Sequence, residues 1–377
     1  MQYRDLGKTG IKVSALAFGC MRFPRRADNT TCDRDASVAL LKRAYELGVN
    51  YYDTAWVYDK GDSERTVGEF LKCVPRDRVI VADKIPIGNP WYPLPGDKPI
   101  GQFWREHLEE QLRRLQTGYI DVCLFHDTVL PTFQTVVRGP GGPIDQARKA
   151  KDEGLIRHIA LSSHDSPANI IRILEQAAGV IEVIVVQYNL LDRKNEPVIE
   201  YARKNGIGVA VMGPIGGGRL IHPSEVYQKA VSVRSTAELA LRFVLGNPGV
   251  SCAMSGMNSL AQLEENARTA SEAAPLTREE IERIDKLQQE NRKFLHLYCT
   301  GCGYCLPCPH GVNIPGNFHA LNILKVHGFV PLAKQTYENL KDGKAERCEE
   351  CGACVPKCPQ EIKIPDRLKE VVEAFRT

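Results

Sequence analysis

The chain has no apolar run long enough to cross a bilayer, and its opening residues, Met1-Gln2-Tyr3-Arg4-Asp5, lack the apolar core of a signal peptide. These absences predict a cytoplasmic protein with no membrane partner, in a reducing compartment where clustered thiols serve metal or redox chemistry rather than disulfides. Basic blocks and aromatic-basic stripes are also missing, and a net charge of +3 over 377 residues is too weak to imply nucleic acid. No G-x-G-x-x-G follows the first apolar run, which removes the usual mark of a doubly wound dinucleotide-binding sheet. Gly7-Lys8-Thr9 imitates the end of a P-loop, but that loop needs a glycine where Gln2 stands. What remains, 43% hydrophobic and 25% charged, is an ordinary folded chain long enough for two domains.

Cysteine is concentrated near the end of the chain. Of thirteen cysteines, eight form two runs: Cys299, Cys302, Cys305 and Cys308 before Pro309, and Cys348, Cys351, Cys354 and Cys358 before Pro359. Two-residue gaps let three thiolates reach three irons of one cubane, while the cysteine before proline ligates the other cluster in two-cluster ferredoxins. The pattern predicts two [4Fe–4S] clusters, one held by Cys299, Cys302, Cys305 and Cys358, the other by Cys348, Cys351, Cys354 and Cys308. The first run departs from the standard spacing, with two residues rather than three before its last cysteine. Structural zinc is the competing reading, because paired C-x-x-C units also build tetrahedral sites, although zinc needs no third cysteine at that spacing. Cys20, Cys32, Cys73, Cys123 and Cys252 stand alone and read as small buried hydrophobes.

From residue 11 to about 270, short β-branched runs alternate with helical segments. The runs are Val13 to Gly19, Asn50 to Asp53, Arg78 to Lys84, Ile120 to His126, Ile156 to Ser162, Val183 to Tyr188, Ile207 to Met212 and Val250 to Ser255. Helices such as Ala36 to Leu47, Phe103 to Leu115 and Asn195 to Asn205 lie between them. Eight such units predict an α/β fold, a (β/α)8 TIM barrel over residues 1–294. Ser259 with Gln262, and Thr277 with Glu280, are capping-box pairs for the last helices. Near residue 295 the composition turns to Cys, Gly and Pro, and the apolar positions Leu321, Ile323, Leu324, Phe329 and Leu332 look helical. Residues 295–377 are therefore expected to form a mainly α-helical, ferredoxin-like domain.

Catalytic groups of such a barrel sit where strands finish. Here the second, third and fourth strands end in Asp53, Lys84 and His126, and Tyr58 follows shortly after Asp53. Singly each has a mundane reading: a helix cap, a solvated strand end, a core histidine. Together they make a proton donor, since an ammonium lowers the pKa of a neighbouring phenol and a carboxylate holds the ammonium in place. After the seventh strand, Gly213-Pro214-Ile215-Gly216-Gly217-Gly218 lets backbone N–H groups approach phosphate, with a flexible loop as the alternative.

The segment Asn50-Tyr51-Tyr52-Asp53-Thr54-Ala55 through Tyr58, then Gly61-Asp62-Ser63-Glu64, together with Lys84, His126, Leu6-Gly7-Lys8-Thr9-Gly10 and Phe18-Gly19-Cys20-Met21, resembles the aldo/keto reductase family. The cysteine stretch from Cys299 to Pro309 resembles the subgroup with a C-terminal two-cluster extension. The resemblance implies an oxidoreductase that interconverts small carbonyls and alcohols with NADP or NAD. In it Tyr58 is the general acid, Lys84 tunes Tyr58, Asp53 fixes Lys84 and His126 orients the carbonyl. It also implies cofactor contacts at Met21, Ser162, Ser163, Gln187, Met212, Gly213, Pro214, Gly216, Gly217 and Gly218, and on the adenosine side at Ser255, Gly256, Asn258, Gln262, Glu265 and Asn266. Several positions depart from the family pattern. Ser163 replaces an Asn, Val185 a Gln, Met212 an aromatic residue, and Ser259 the cation that clamps the 2′-phosphate of NADP.

Nicotinamide passes two electrons at once whereas each cubane passes one, so a flavin in the phosphate site is a second cofactor reading. The alternative functions are a flavin-containing enzyme and a pure electron-transfer protein, each exchanging electrons with a ferredoxin-like partner; in the first reading the clusters link to such a partner or stabilise the fold. An insertion carrying Pro86, Pro90, Trp91, Tyr92, Pro93 and Pro95 is expected to wall the pocket or to pack on the rim.

Overall fold

The alternation closes into a cylinder. The computed structural model describes all residues except 27–30, 89–95, 97, 222–223, 225–226, 228–229, 273, 293–304, 326–327, 359–361 and 377. An antiparallel hairpin, β1 (Tyr3–Asp5) and β2 (Lys12–Ser14), precedes the barrel. Eight parallel strands follow: β3 (Leu16–Gly19), β4 (Tyr51–Asp53), β5 (Ile80–Pro86), β6 (Ile120–His126), β7 (Ile156–Ser163), β8 (Val183–Gln187), β9 (Gly208–Met212) and β10 (Cys252–Ser255), with β10 pairing back onto β3. The expected single run from Val13 to Gly19 is two strands. The chain breaks at Ala15, where Ser14 Oγ donates to Leu16 O and Ser14 N–H donates to Asn50 Oδ1, turning the hairpin into the barrel wall.

Side chains alternate across a strand, so every second residue enters the barrel. Ala17, Tyr51, Ile80, Ala82, Val122, Leu124, Ala160, Val183, Val185, Ala210, Cys252 and Met254 form one apolar cluster, and Leu6 and Val13 of the hairpin region join it. Each buried Val or Leu contributes about 1.5–3 kcal/mol. The hairpin turn docks tightly: Lys8 N–H donates to Gly206 O at 2.8 Å, and a Cβ on Gly7, whose φ is +57°, would lie 2.3 Å from Gly208 N. Following the same alternation to the strand ends brings Asp53, Lys84, His126, Ser162, Gln187, Met212 and Gly256 to the mouth.

The chain divides into two compact units, residues 1–216 with 240–275, and residues 217–239 with 276–377. In the second, helices Ile314–Lys325, Val330–Glu338 and Ile364–Phe375 surround an apolar cluster of Val312, Ile314, Phe318, Leu321, Tyr337, Leu368 and Val371. Buried Asn317 ties this unit together, its Nδ2 donating to Asn313 O at 2.8 Å and Gly343 O at 2.7 Å. Thr277 and Glu280 form the reciprocal capping box of helix Arg278–Arg292, whereas Gln262 reaches back to Asn258 N–H rather than to Ser259. The domain boundary placed near residue 295, and most of the proline-rich insertion, lie outside the described residues. No described helix is long and apolar enough to cross a membrane.

Candidate active site

Lys84 organises the mouth. Its ammonium donates to Asp53 Oδ1 and, at 2.6 Å, to Thr54 O. Nζ lies 4.8 Å from the centroid of the Tyr58 ring, and the His126 ring meets that ring edge-on at 6.0 Å. Burial works against the charge on Lys84, but the Asp53 carboxylate, by its charge and its hydrogen bond, outweighs it and holds the pKa above the usual lysine range. Burial also raises Asp53, with Lys84 opposing, and the pair stays ionised because the raised ammonium keeps the carboxylate the stronger acid. Burial lifts the Tyr58 phenol above its ordinary value while Lys84 pulls it down, so the resting phenol carries its proton. Burial, then the charges of Lys84 and His164, push His126 down to about 3, leaving a neutral imidazole. Asp53 Oδ2 and His126 Nδ1 are buried without hydrogen-bond partners, as groups awaiting a ligand would be.

Local backbone presents Tyr58. Asp59, Lys60 and Gly61 are consecutively left-handed, with φ of 49°, 56° and 85°. Asp59 holds this turn by accepting from Arg25 at 2.8 Å and from Cys32 N–H at 2.7 Å. Gly61 is required there, since a Cβ would sit 2.6 Å from Arg114 Nη1.

The sequence-derived cofactor residues divide. Ser162 Oγ accepts from Asp127 N–H at 2.9 Å, whereas Ser163 has the opposite strand parity, is fully buried and accepts from Asp165 N–H. The Gln187 amide donates to Asp192 at 2.9 Å. Ser255 Oγ accepts from Asn266 Nδ2 at 3.1 Å inside the protein. Met212 is half-buried, Met21 and Asn258 are exposed, and Pro214 is buried. Gly213 and Gly216 are left-handed at φ of 63° and 58°, and Gly217 and Gly218, at 67° and 95°, fall in the second unit. A Cβ on either of the last two would meet nothing within 4 Å, so this run leaves open space beside its backbone. Within the first unit, the left-handed backbone at Gly213 and Gly216 suits a phosphate group.

Two mouth residues were missed in the sequence. His164 continues the Ser162 parity and acts electrostatically on His126, a signal readable as strand end plus two. Arg22, exposed, lies across Gly256 with its side chain 3.2 Å from the glycine's missing Cβ.

Cys299 and Cys302 lie outside the described residues. Cys308 of the first run is brought to Cys348 and Cys351 around Cys354, whose thiol is raised by burial and then by these neighbours. Cys305 is buried in the apolar cluster against which Cys308, Cys348, Cys354 and Cys358 pack. Unbridged thiols gathered in this way fit iron–sulfur ligation. Cys20, Cys32, Cys123 and Cys252 are buried as expected, but Cys73 is exposed because it sits just past helix Asp62–Leu71.

The aldo/keto reductase family profile matches residues 15–289, and a 4Fe-4S dicluster domain profile matches residues 298–364. L-Galactose dehydrogenase of Arabidopsis thaliana is 29% identical over 73% of this chain and 90% of its own length. NADH-specific methylglyoxal reductase of Escherichia coli is 32% identical over 58% of this chain and 69% of its own. Among solved structures, aldo-keto reductase AKR11C1 from Bacillus halodurans in its holo form superposes with a TM-score of 0.65 at 29% identity, over 76% of this chain and 96% of that one.

Proposed function

This chain belongs to the aldo/keto reductase family and carries a 4Fe-4S dicluster domain, and on that premise we propose that it interconverts small carbonyl compounds and alcohols with a nicotinamide dinucleotide, NADP or NAD. The observation that carries the reading is the mouth at which Lys84 joins Asp53 and Thr54 O beside the Tyr58 ring, 4.8 Å from its centroid, with His126 edge-on to the phenol. When bound, a reduced nicotinamide supplies the hydride to the carbonyl carbon. Tyr58 gives its phenolic proton to the carbonyl oxygen, and Lys84 stabilises the phenolate left behind. Asp53 holds Lys84 charged and in place. Neutral His126 offers a hydrogen bond to the carbonyl oxygen and orients it. Ser162, Gln187, Gly213, Gly216, Ser255 and Asn266 would hold the dinucleotide, and the relative whose name specifies NADH supports accepting the coenzyme without a 2′-phosphate, given Ser259.

The catalytic domain is taken to run to residue 294 and the dicluster domain from 295. Cys308, Cys348, Cys351 and Cys354 would hold one cluster, and Cys305 with Cys358, Cys299 and Cys302 the other, supplying one-electron transfer to a ferredoxin-like partner. The decisive experiment is Tyr58→Phe assayed anaerobically on a carbonyl panel with NADPH and NADH. Turnover should fall about 10²–10⁴-fold while iron and sulfide stay at the wild-type level. Undiminished turnover would remove the mechanism.

A further inference from the structure

Behind Lys84, on the side of β5 that faces the helices, lies Asp83, on which Glu64 of helix Asp62–Leu71 acts, and both are fully buried. Glu64 Oε2 accepts from Arg114 Nη1 at 2.6 Å, and Asp83 Oδ1 accepts from the Lys84 backbone N–H at 2.8 Å. The remaining oxygens, Glu64 Oε1 and Asp83 Oδ2, are buried with no hydrogen-bond partner, and each carboxyl acts on the other. Two neighbouring carboxyls, both fully buried and each with an oxygen left without a donor, cannot both stay charged; one has to keep a proton. We propose that Asp83 and Glu64 share one proton as a carboxyl pair that positions Lys84 from behind, an inference that rests on the catalytic reading of Lys84.

Arg114 fixes where the charge resides. Its guanidinium pairs with Glu64 and lies 3.8 Å over the Trp56 ring, so Glu64 keeps the negative charge and Asp83 the proton. Burial and the neighbouring Glu64 charge push Asp83 in the same direction, well above the carboxylate range. The groups acting on Asp83 are Glu64 from the helix and Lys84 on its own strand, with Cys123 opposite it on β6, while Arg114 and Gln111 act on Glu64. The peptide of Lys84 is thus held at both ends, its N–H by Asp83 and its C=O by Gln111 Nε2 and Trp56 N–H, each at 3.1 Å. A neutral Asp83 leaves the ammonium one counter-charge, Asp53. Loss of the shared proton would set a second carboxylate beside Lys84 and draw its charge away from Tyr58. Asp83 is a positioning residue: it reaches the reaction only through Lys84.

Infrared spectroscopy of the full-length protein at neutral pH tests this without turnover. A protonated-carboxyl band that shifts in D2O is expected in wild type and should be absent in Asp83→Asn and in Glu64→Gln. In kinetics, Asp83→Leu should lose about a hundred-fold in kcat with little change in KM, as misplacement of a catalytic group does. Asp83→Asn, which keeps the acceptor for the Lys84 N–H but carries no shared proton, should restore most of that loss and move the alkaline decline of kcat to higher pH. An identical band in wild type and Asp83→Asn overturns the pair whatever the activity. Failure of the Tyr58→Phe prediction with the band present sinks the catalytic reading instead.

Discussion

The barrel and the cysteine-rich segment bury polar groups in opposite ways. Inside the barrel, each buried charge meets a partner from its own chain: Lys84 with Asp53, Glu64 with Arg114, and Asp121 with Arg76 at 2.7 Å and Arg157 at 3.3 Å. In the cysteine-rich segment, thiols from distant positions face one another at the edge of a small apolar cluster. One region completes its structure with side chains, while the other gathers ligands for something inorganic. A small core supplies little net stability unless a staple is added, and a metal centre is such a staple.

The largest expected effect would break that contrast outright. Anaerobic removal of iron from the full-length protein should open helices Ile314–Lys325, Val330–Glu338 and Ile364–Phe375 to protease while the near-ultraviolet signature and thermal transition of the barrel persist. A tail that stays protease-resistant without iron would mean that its apolar cluster suffices. A smaller effect sharpens the barrel side. Lys84→Met leaves Asp53 buried and unpaired, which should cost about 3–5 kcal/mol in chemical denaturation. Adding Asp53→Asn to that variant should recover part of the loss, because contacting sites are not additive. Simple additivity would show that the two do not act as a pair.

Much of this contrast could be read from residue order, because both signals are periodic. Strand alternation carries Asp53, Lys84 and His126 to one mouth, and cysteine spacing carries ligation. The parts that stayed hidden depend on which helix faces which strand. Nothing near Asp83 in the chain announces Glu64 or Arg114, and the Gln187 amide looks free until Asp192 is folded against it. Ser163 shows the limit of motif matching: one step along β7 reverses the face, so it lies away from its neighbour Ser162. The stretch 217–239 groups with the C-terminal unit through contacts such as Arg283 Nε to Ala230 O at 2.9 Å, a pairing across more than fifty residues that no local pattern encodes.

The smallest predicted effect concerns how the two regions respond to acid. Glu182, at the entry to β8, accepts from His158 at 2.8 Å, Lys151 at 2.6 Å and Ile159 N–H at 3.2 Å. Burial opposes its charge, but His158 and Lys151 prevail and bring its pKa from the ordinary 4.5 to about 2. A depressed carboxyl pKa contributes stability that is complete above the unfolded value and is lost as pH falls through the folded one, here between 4.5 and about 2. The full shift corresponds to about 3 kcal/mol, and solvent screening at a partly open site leaves about 1 kcal/mol. Glu182→Gln should therefore lower barrel stability by about 1 kcal/mol at neutral pH and converge on wild type near pH 2. Thiolate ligation needs deprotonated cysteine, so the tail should release iron before this barrel contact titrates. Acidification followed by iron release and by barrel fluorescence together should show two steps in wild type, tail first, and Glu182→Gln should move only the second. A shift of the iron-release step in that variant would mean that the two regions do not respond separately.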